Sequence, residues 1–471
     1  MTVELIGIIA LVFGLVGLFL PLSFMVYVFL CSTLLGASAA LTLDSLGGTS
    51  VQPAHLLLGF LAYGSLTERG NWQRVVRTMS MGRPGFWLLL TMIYGTVCAY
   101  VMPRLFVGQT LIFPVRSEGG YRMSLGPAMS NLTQSIYFIG DFVCFILISG
   151  YAATVSGRRV LGGAALFCAG LNLGFAVLDL ATYFTNTSDA LAFIRNANYS
   201  MLSDTELAGF KRIVGSFTEA SAFGAVTLGY FAFASKLWLL GIRPRLTLTL
   251  TLCSLAALVF STSTTAYVGL AGYLAVAFLE VGVRFFRRPI TPQMAAFIFG
   301  VPVLAAILGI ALAMNETYSV YIQSLVDQFV LNKMSTASGI ERATWNRQAM
   351  QNFYDTFGFG VGNGSLRSSS FPVAVLANFG VMGTILFGAF FITLFQPNAS
   401  SPDNLDDAYR RAAKSTCIAW LITATTSGAL VDLGLPFFAL AALACASPAR
   451  APSLRPVGLP KPHPKDQFRL T

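Results

Sequence analysis

Long apolar runs separated by short polar ones dominate this chain. Mostly apolar stretches lie near 5–20, 22–42, 53–67, 86–104, 132–152, 160–183, 219–240, 246–261, 264–285, 294–314, 372–395, 412–428 and 431–448. Most approach the about 20 residues that a helix needs to cross a bilayer core. The run at 53–67 is short and contains Pro53 and His55, so it reads as a span or as a re-entrant or interfacial segment. The expected fold is all-α: a polytopic integral membrane protein of about 12–13 transmembrane helices. A single transmembrane domain is expected over 1–448, and a disordered, basic, Pro-rich tail over 449–471.

One interval breaks the pattern. From Asn315 to Phe371 the chain is polar for longer than anywhere else, and apolar spans flank it on both sides. Loops of this length are functional or disordered. Trp, Phe, Tyr and Gly stand among its charges, which predicts an ordered, helical, ligand-facing loop.

Composition agrees with the membrane reading. Hydrophobic residues make up 55% of the 471 and charged residues 11%, against roughly 25% charged in soluble domains. The net charge of +10 gathers in short inter-span loops. Arg69, Arg74, Arg77 and Arg83 share one, Arg158 and Arg159 a second, Arg243 and Arg245 a third, and Arg284, Arg287 and Arg288 a fourth. By the positive-inside rule these alternate loops are cytoplasmic, as is the tail with Arg450, Arg455, Lys461, Lys465 and Arg469. Three outer segments remain: 105–131, 184–218 and 315–371. The positive charge thus argues topology and not nucleic-acid binding. No basic residue precedes the first apolar run, so it reads as a span and not as a cleaved signal peptide.

Metal and nucleotide chemistry find little here. The chain has two histidines, His55 and His463. Its seven cysteines lie in apolar runs without CxxC spacing and read as small hydrophobes. The glycines from Gly358 to Gly364 lack the GK[ST] ending of a phosphate loop. They suit a backbone that passes close to another element.

Candidate chemistry lies in the outer segments. Lys211 and Arg212 precede a span that opens at Glu219. Arginine is a planar, permanently charged fork suited to phosphate; the competing reading is a cationic anchor at a helix end. On a helix Arg342 and Trp345 share a face, and an aromatic ring beside a guanidinium suits a sugar and its phosphate. The alternative is a surface ion-pair helix built on Glu341. Arg347 and Arg367 extend the same basic set, and Arg367 too can be an interface anchor. Asp141, Asp179 and Asp432 lie in or near spans, where charge is costly and functional by default. Pairing of Asp141 and Asp179 with outer-face arginines is the other expectation. His55 reads as a packed histidine.

Three blocks resemble the O-antigen polymerase and O-antigen ligase superfamily, membrane glycosyltransferases of the GT-C type. They are Arg212-x-x-Gly215-x-Phe217-x-Glu219; Ser261-Thr262-Ser263-Thr264-Thr265; and Arg342-x-x-Trp345 with Phe359-Gly360-Val361-Gly362-x-Gly364-x-x-Arg367 and Asn378-Phe379-Gly380-Val381-Met382-Gly383. Arg347 and Gly358 also enclose ten residues, an arginine–ten–glycine spacing found in polymerase loops. The resemblance covers roughly 205–395. It implies a substrate of undecaprenyl-diphosphate-linked glycan units at the periplasmic face of a bacterial inner membrane, with a cytoplasmic C-terminus. It implies neither a cofactor nor a metal. Partners would be the lipid-linked glycan, the membrane and, as an open option, a chain-length regulator, with no nucleic acid. The implied catalytic set is Arg212, Glu219, Arg342 and Arg347, with arginines holding the departing diphosphate and Glu219 as general base. Lys211, Trp345, Asp355, Gly360, Gly362 and Arg367 would contact substrate, Asp355 being a second, weaker base candidate. Ligases of the superfamily use a histidine in the large loop. None stands here, which favours a polymerase. Two alternatives remain: a ligase, and a transporter of lipid-linked sugars, which would carry its charges near the bilayer midplane.

Overall fold

The computed structural model describes residues 2–43, 48–115, 121–198, 201–202, 205–207, 210–286, 290–303, 305–307, 337–397 and 404–446. The expected tail and the first part of the long polar loop, 315–336, lie outside these residues.

The chain is an all-α membrane protein. Helices α1 (Leu5–Gly17), α2 (Leu22–Ser32), α3 (Pro53–Thr67) and α4 (Asn71–Thr78) lead into α5 (Pro84–Leu105), α6 (Met129–Ala152) and α7 (Val155–Phe184). Next come α8 (Ala220–Leu239), α9 (Pro244–Phe260), α10 (Thr264–Phe285) and α11 (Pro292–Ala295), which runs on into a π turn over Ala296–Gly300. The last four are α12 (Ala337–Asp355), α13 (Phe371–Phe395), α14 (Asn404–Ser427) and α15 (Leu435–Ala444). Proline at the first or second position opens α3, α5, α9, α11, α13 and α15, where its missing N–H costs nothing and its fixed φ suits the helix.

Among the described residues, six helices are long and apolar enough to cross a membrane: α5, α6, α7, α8, α10 and α13. Several expected spans are shorter as helices. The run 22–42 is helical only to Ser32; the run 431–448 contributes ten helical residues, about 15 Å of rise. At 53–67, α3 has 15 residues, about 22 Å and short of a full crossing. Where helix is lacking, protein covers the irregular backbone. Ala37 N–H donates to Ser216 O, Ala39 N–H to Asn196 Oδ1 at 2.9 Å, and Ser38 Oγ–H to Ile194 O. Non-helical backbone at membrane depth is tolerated only when buried and satisfied in this way.

The two ends of the bundle differ. One carries all the short strands: β1 (Thr2–Val3), β2 (Leu41–Leu43) and β3 (Thr49–Val51) in one antiparallel sheet, then the hairpins β4 (Leu111–Ile112) with β5 (Met123–Ser124) and β6 (Glu206–Leu207) with β7 (Phe210–Lys211). The opposite end carries the connections with Arg69, Arg74, Arg77 and Arg83, with Arg158 and Arg159, and with Arg243 and Arg245. There Arg158 is buried, contrary to its reading as a loop charge. Its Nη2 and Nε donate to Asp406 Oδ2 at 2.7 and 3.0 Å, joining the start of α7 to the start of α14. Between the ends, rings of Phe138, Phe379, Phe387 and Phe390 meet edge-on or tilted at 5.7–6.5 Å, geometry worth about 0.5–1.5 kcal/mol per pair beyond area burial.

Candidate functional site

The site begins with a buried carboxylate. Asp179, in the last turns of α7, is 1% exposed. Its Oδ1 meets Arg195 Nη2 at 2.6 Å and Lys211 Nζ at 3.4 Å. Its Oδ2 accepts the backbone N–H groups of Val214 and Gly215 at 2.8 and 3.1 Å. A buried charge needs such pairing, and here the pairing bends the chain from β7 to α8 into its course. Gly215 sits at φ +60°, a conformation costly for any residue with a Cβ. The expected partnership of Asp179 with an outer-face arginine is present, through Arg195, which carries no motif. Lys211 corrects an expectation: its side chain is spent on Asp179 and lies over the Tyr183 ring, so it does not face substrate.

That loop presents Arg212 and Glu219. Arg212 Nη2 donates to the carbonyl of Thr262 at 3.4 Å, in the turn between α9 and α10. Thr262 adopts φ +47°, rare for a threonine. Burial lowers the pKa of the Arg212 guanidinium from its ordinary value, while Glu219 and Tyr267 oppose the shift. Since arginine stays charged in proteins, the shift registers desolvation of a cation. Glu219 is the N-cap residue of α8 and accepts from Ser221 Oγ–H.

The second half of the site comes from α12 and the irregular segment that follows it. Arg342 Nη1 reaches the carbonyl of Thr426, at the end of α14, at 3.5 Å. One turn on, Trp345 carries the Arg367 guanidinium 3.9 Å above its ring centroid. Asn346 Oδ1 accepts the Ser369 N–H at 2.7 Å, fixing the segment that bears Arg367 against α12. Burial lowers the pKa of Arg367 as well; Glu341 and Glu219 oppose the shift and Arg342 reinforces it. Glu219 is thus close enough to both Arg212 and Arg367 for its charge to act on each. Three buried polar atoms of the site lack a protein partner among the described residues: Arg212 Nε, Arg367 Nε and Thr262 Oγ1. Together they offer two guanidinium donors and a hydroxyl to an anion.

Other expected residues lie elsewhere. Arg347 is exposed and, five residues from Arg342, is turned about 140° around the helix from it. Asp355 lies thirteen residues from Arg342, roughly 20 Å along the axis. It accepts from Thr110 Oγ1 and from Gln351 Nε2, anchoring α12 to β4. Gly360 and Gly362 are buried against backbone, which makes them packing positions and not substrate contacts. At φ +83° and +91°, a Cβ on either would stand 2.6 Å from Gly380 N or 2.5 Å from Cys98 O. Val361 and Gly362 N–H groups donate to Ala377 and Asn378 carbonyls at 2.9 Å, and Val381 N–H returns to Gly358 O. This closure meets α13 at Gly380, whose φ of 65° interrupts the helix. The reading of these glycines as a close backbone passage is what the structure has.

Asp141 does not meet an outer arginine. It is buried in mid-α6 with no donor to either oxygen among the described residues, and Asp432, in the turn before α15, lies beside it. The His55 ring meets that of Tyr137 at 4.9 Å, tilted by 50°, and is near Asp432.

Sequence reasoning missed Arg195 and the carbonyls of Thr262 and Thr426 as partners. An isolated arginine in a loop gives no signal, and backbone acceptors have none. Neither a protein-family model nor a curated protein matches the chain.

Proposed function

We propose that the chain is a membrane glycosyltransferase of the polysaccharide polymerase type, acting on undecaprenyl-diphosphate-linked oligosaccharides at the periplasmic face of a bacterial inner membrane. One observation carries this reading: two half-buried arginines with unpartnered Nε–H groups flank one carboxylate, beside a tryptophan. Gathering of the arginine-bearing connections at the opposite end supports the orientation.

In this mechanism the acceptor sugar hydroxyl attacks the anomeric carbon of the donor. The bond from that carbon to the diphosphate oxygen breaks, and undecaprenyl diphosphate departs with the electron pair. Glu219 takes the hydroxyl proton. Arg212, Arg342 and Arg367 hold the charge that grows on the diphosphate, in a site where burial strengthens each interaction. Trp345, already stacked on Arg367, keeps that guanidinium in place and offers its rim to a sugar.

A second reading, transport of a lipid-linked sugar, draws on the buried Asp141 with Asp432 and His55 near it, since charges inside a bundle mark substrate or ion pathways. The test uses purified protein in nanodiscs with undecaprenyl-diphosphate-linked repeat units and no nucleotide. A ladder of lipid-linked oligomers, lost in Arg212→Ala, is the expected result. Transfer only to an added lipid or protein acceptor would make the chain a ligase. No covalent product, together with substrate movement across a vesicle membrane, would make it a transporter.

A further inference from the structure

At the end of the bundle opposite the arginine site, a cavity of about 230 Å³ opens between α8, α10, the start of α11 and α14. Its walls are Leu240, Val281, Phe285, Ile290, Met294 and Ile298; Arg284 and Arg411 stand among them. The cavity is thus apolar with two guanidinium groups, the composition that suits an amphiphile with an anionic head.

The local charge supports an anion. Glu280 is shared by Lys236 and by Arg284, the latter at 3.4 Å. Asp407 is shared by Arg410 at 2.8 Å and Arg411 at 2.6 Å. Four cations therefore share two carboxylates, and the excess is positive. Arg284 and Arg411 are the exposed members, with side chains 27% and 37% accessible, while Lys236 and Arg410 are buried at 6% and 3%. An incoming phosphate would complete the neutralisation through the two that it can reach.

The surroundings say where the ligand comes from. Phe285 and Ile290, in the cavity wall, are themselves 40% and 42% exposed, and Phe299, next to Ile298, is 58% exposed. In a membrane protein such surfaces face acyl chains. The apolar wall of the cavity therefore continues into lipid-facing surface, and a free phosphate would gain nothing from it. We propose that this cavity binds an anionic phospholipid of the adjoining leaflet, with its phosphate between Arg284 and Arg411 and the start of an acyl chain along Val281, Phe285 and Met294. The proposal is independent of the glycosyltransferase reading.

Native mass spectrometry of the full chain in detergent tests it, with phosphatidylglycerol, phosphatidylcholine of the same chains, and inorganic phosphate as probes. Phosphatidylglycerol should be retained and phosphatidylcholine lost under the same activation. Arg284→Gln/Arg411→Gln should lower phosphatidylglycerol retention by about tenfold, the loss of two charge-assisted contacts. Met294→Trp, which fills the cavity and leaves both arginines, should do the same and covers the case in which the double variant fails to fold. Equal retention of the two lipids, unchanged retention in Met294→Trp, or inorganic phosphate displacing phosphatidylglycerol at equal concentration would overturn the proposal.

Discussion

Asp179→Asn isolates the charge that shapes the Arg212 loop. Asparagine keeps the size of the side chain and one carbonyl oxygen, so an acceptor for the Val214 and Gly215 N–H groups survives. The anion between Arg195 and Lys211 does not. Both cations are nearly sealed, with side chains 7% and 2% exposed. Removing one member of a buried ion pair costs about 3–5 kcal/mol, because the remaining charge is left uncompensated. The expected loss therefore lies in that range, with any lost neutral hydrogen bond adding about 1 kcal/mol. Unfolding of the detergent-solubilised protein, followed by tryptophan fluorescence, measures it. Lys211→Met removes one stranded cation, so the double variant Asp179→Asn/Lys211→Met should be less impaired than the two single losses summed, with a coupling of about 0.5–3 kcal/mol. A single variant within about 0.5 kcal/mol of wild type, as for ordinary surface changes, or an additive cycle, would refute the argument that this carboxylate organises the loop.

Further expectations concern the site and the scaffold. Arg212→Ala and Arg367→Ala should each slow oligomer formation by about 10²–10³-fold, while Arg347→Ala should leave the product ladder near normal; equal losses in all three would place Arg347 in the site. Gly362→Ala must seat a Cβ 2.5 Å from Cys98 O at φ +91°, and should destabilise by about 1–3 kcal/mol in the same unfolding assay. A stable but inactive Gly362→Ala would instead restore the glycine as a substrate contact. Arg158→Met leaves Asp406 buried, with the exposed Arg159 at 3.7 Å as its remaining cation among the described residues, and should cost about 3–5 kcal/mol; Arg158→Met/Asp406→Leu should recover most of it, as read by melting temperature.

The all-α membrane fold was legible because its cause is local: apolar runs near membrane length have few other solutions. The short helices were not, since nothing in the run 22–42 marks Ser32 as an end. That end is set by Ile194, Asn196 and Ser216, which lie far along the chain and satisfy the backbone beyond it. Arg212, Glu219, Arg342, Trp345 and Arg367 stood out in the sequence as an ordered set, of which the fold stacks Arg367 on Trp345. Lys211 and Arg158 were misplaced for a shared reason. A cation beside a span looks the same in sequence whether it reaches water or a buried carboxylate, and only the partner, Asp179 or Asp406, distinguishes them. The glycines of 358–364 carried both a substrate reading and a packing reading, and Cys98, Asn378 and Gly380, which decide between them, lie on other elements.

The glycine passage has a mechanical consequence. Backbone lies directly on backbone where 358–364 crosses α5, α6 and α13, so no side-chain cushion allows those elements to slide. Arg367, three residues beyond Gly364, is clamped to the same frame by its N–H on Phe113 O. The opposite wall is held differently, by the buried Asp179 carboxylate, which takes the Val214 and Gly215 N–H groups and the Lys211 cation of the loop that bears Arg212. One wall is therefore fixed by backbone packing and the other by buried charge, so a change at Asp179 loosens only the wall that carries Arg212 and Glu219.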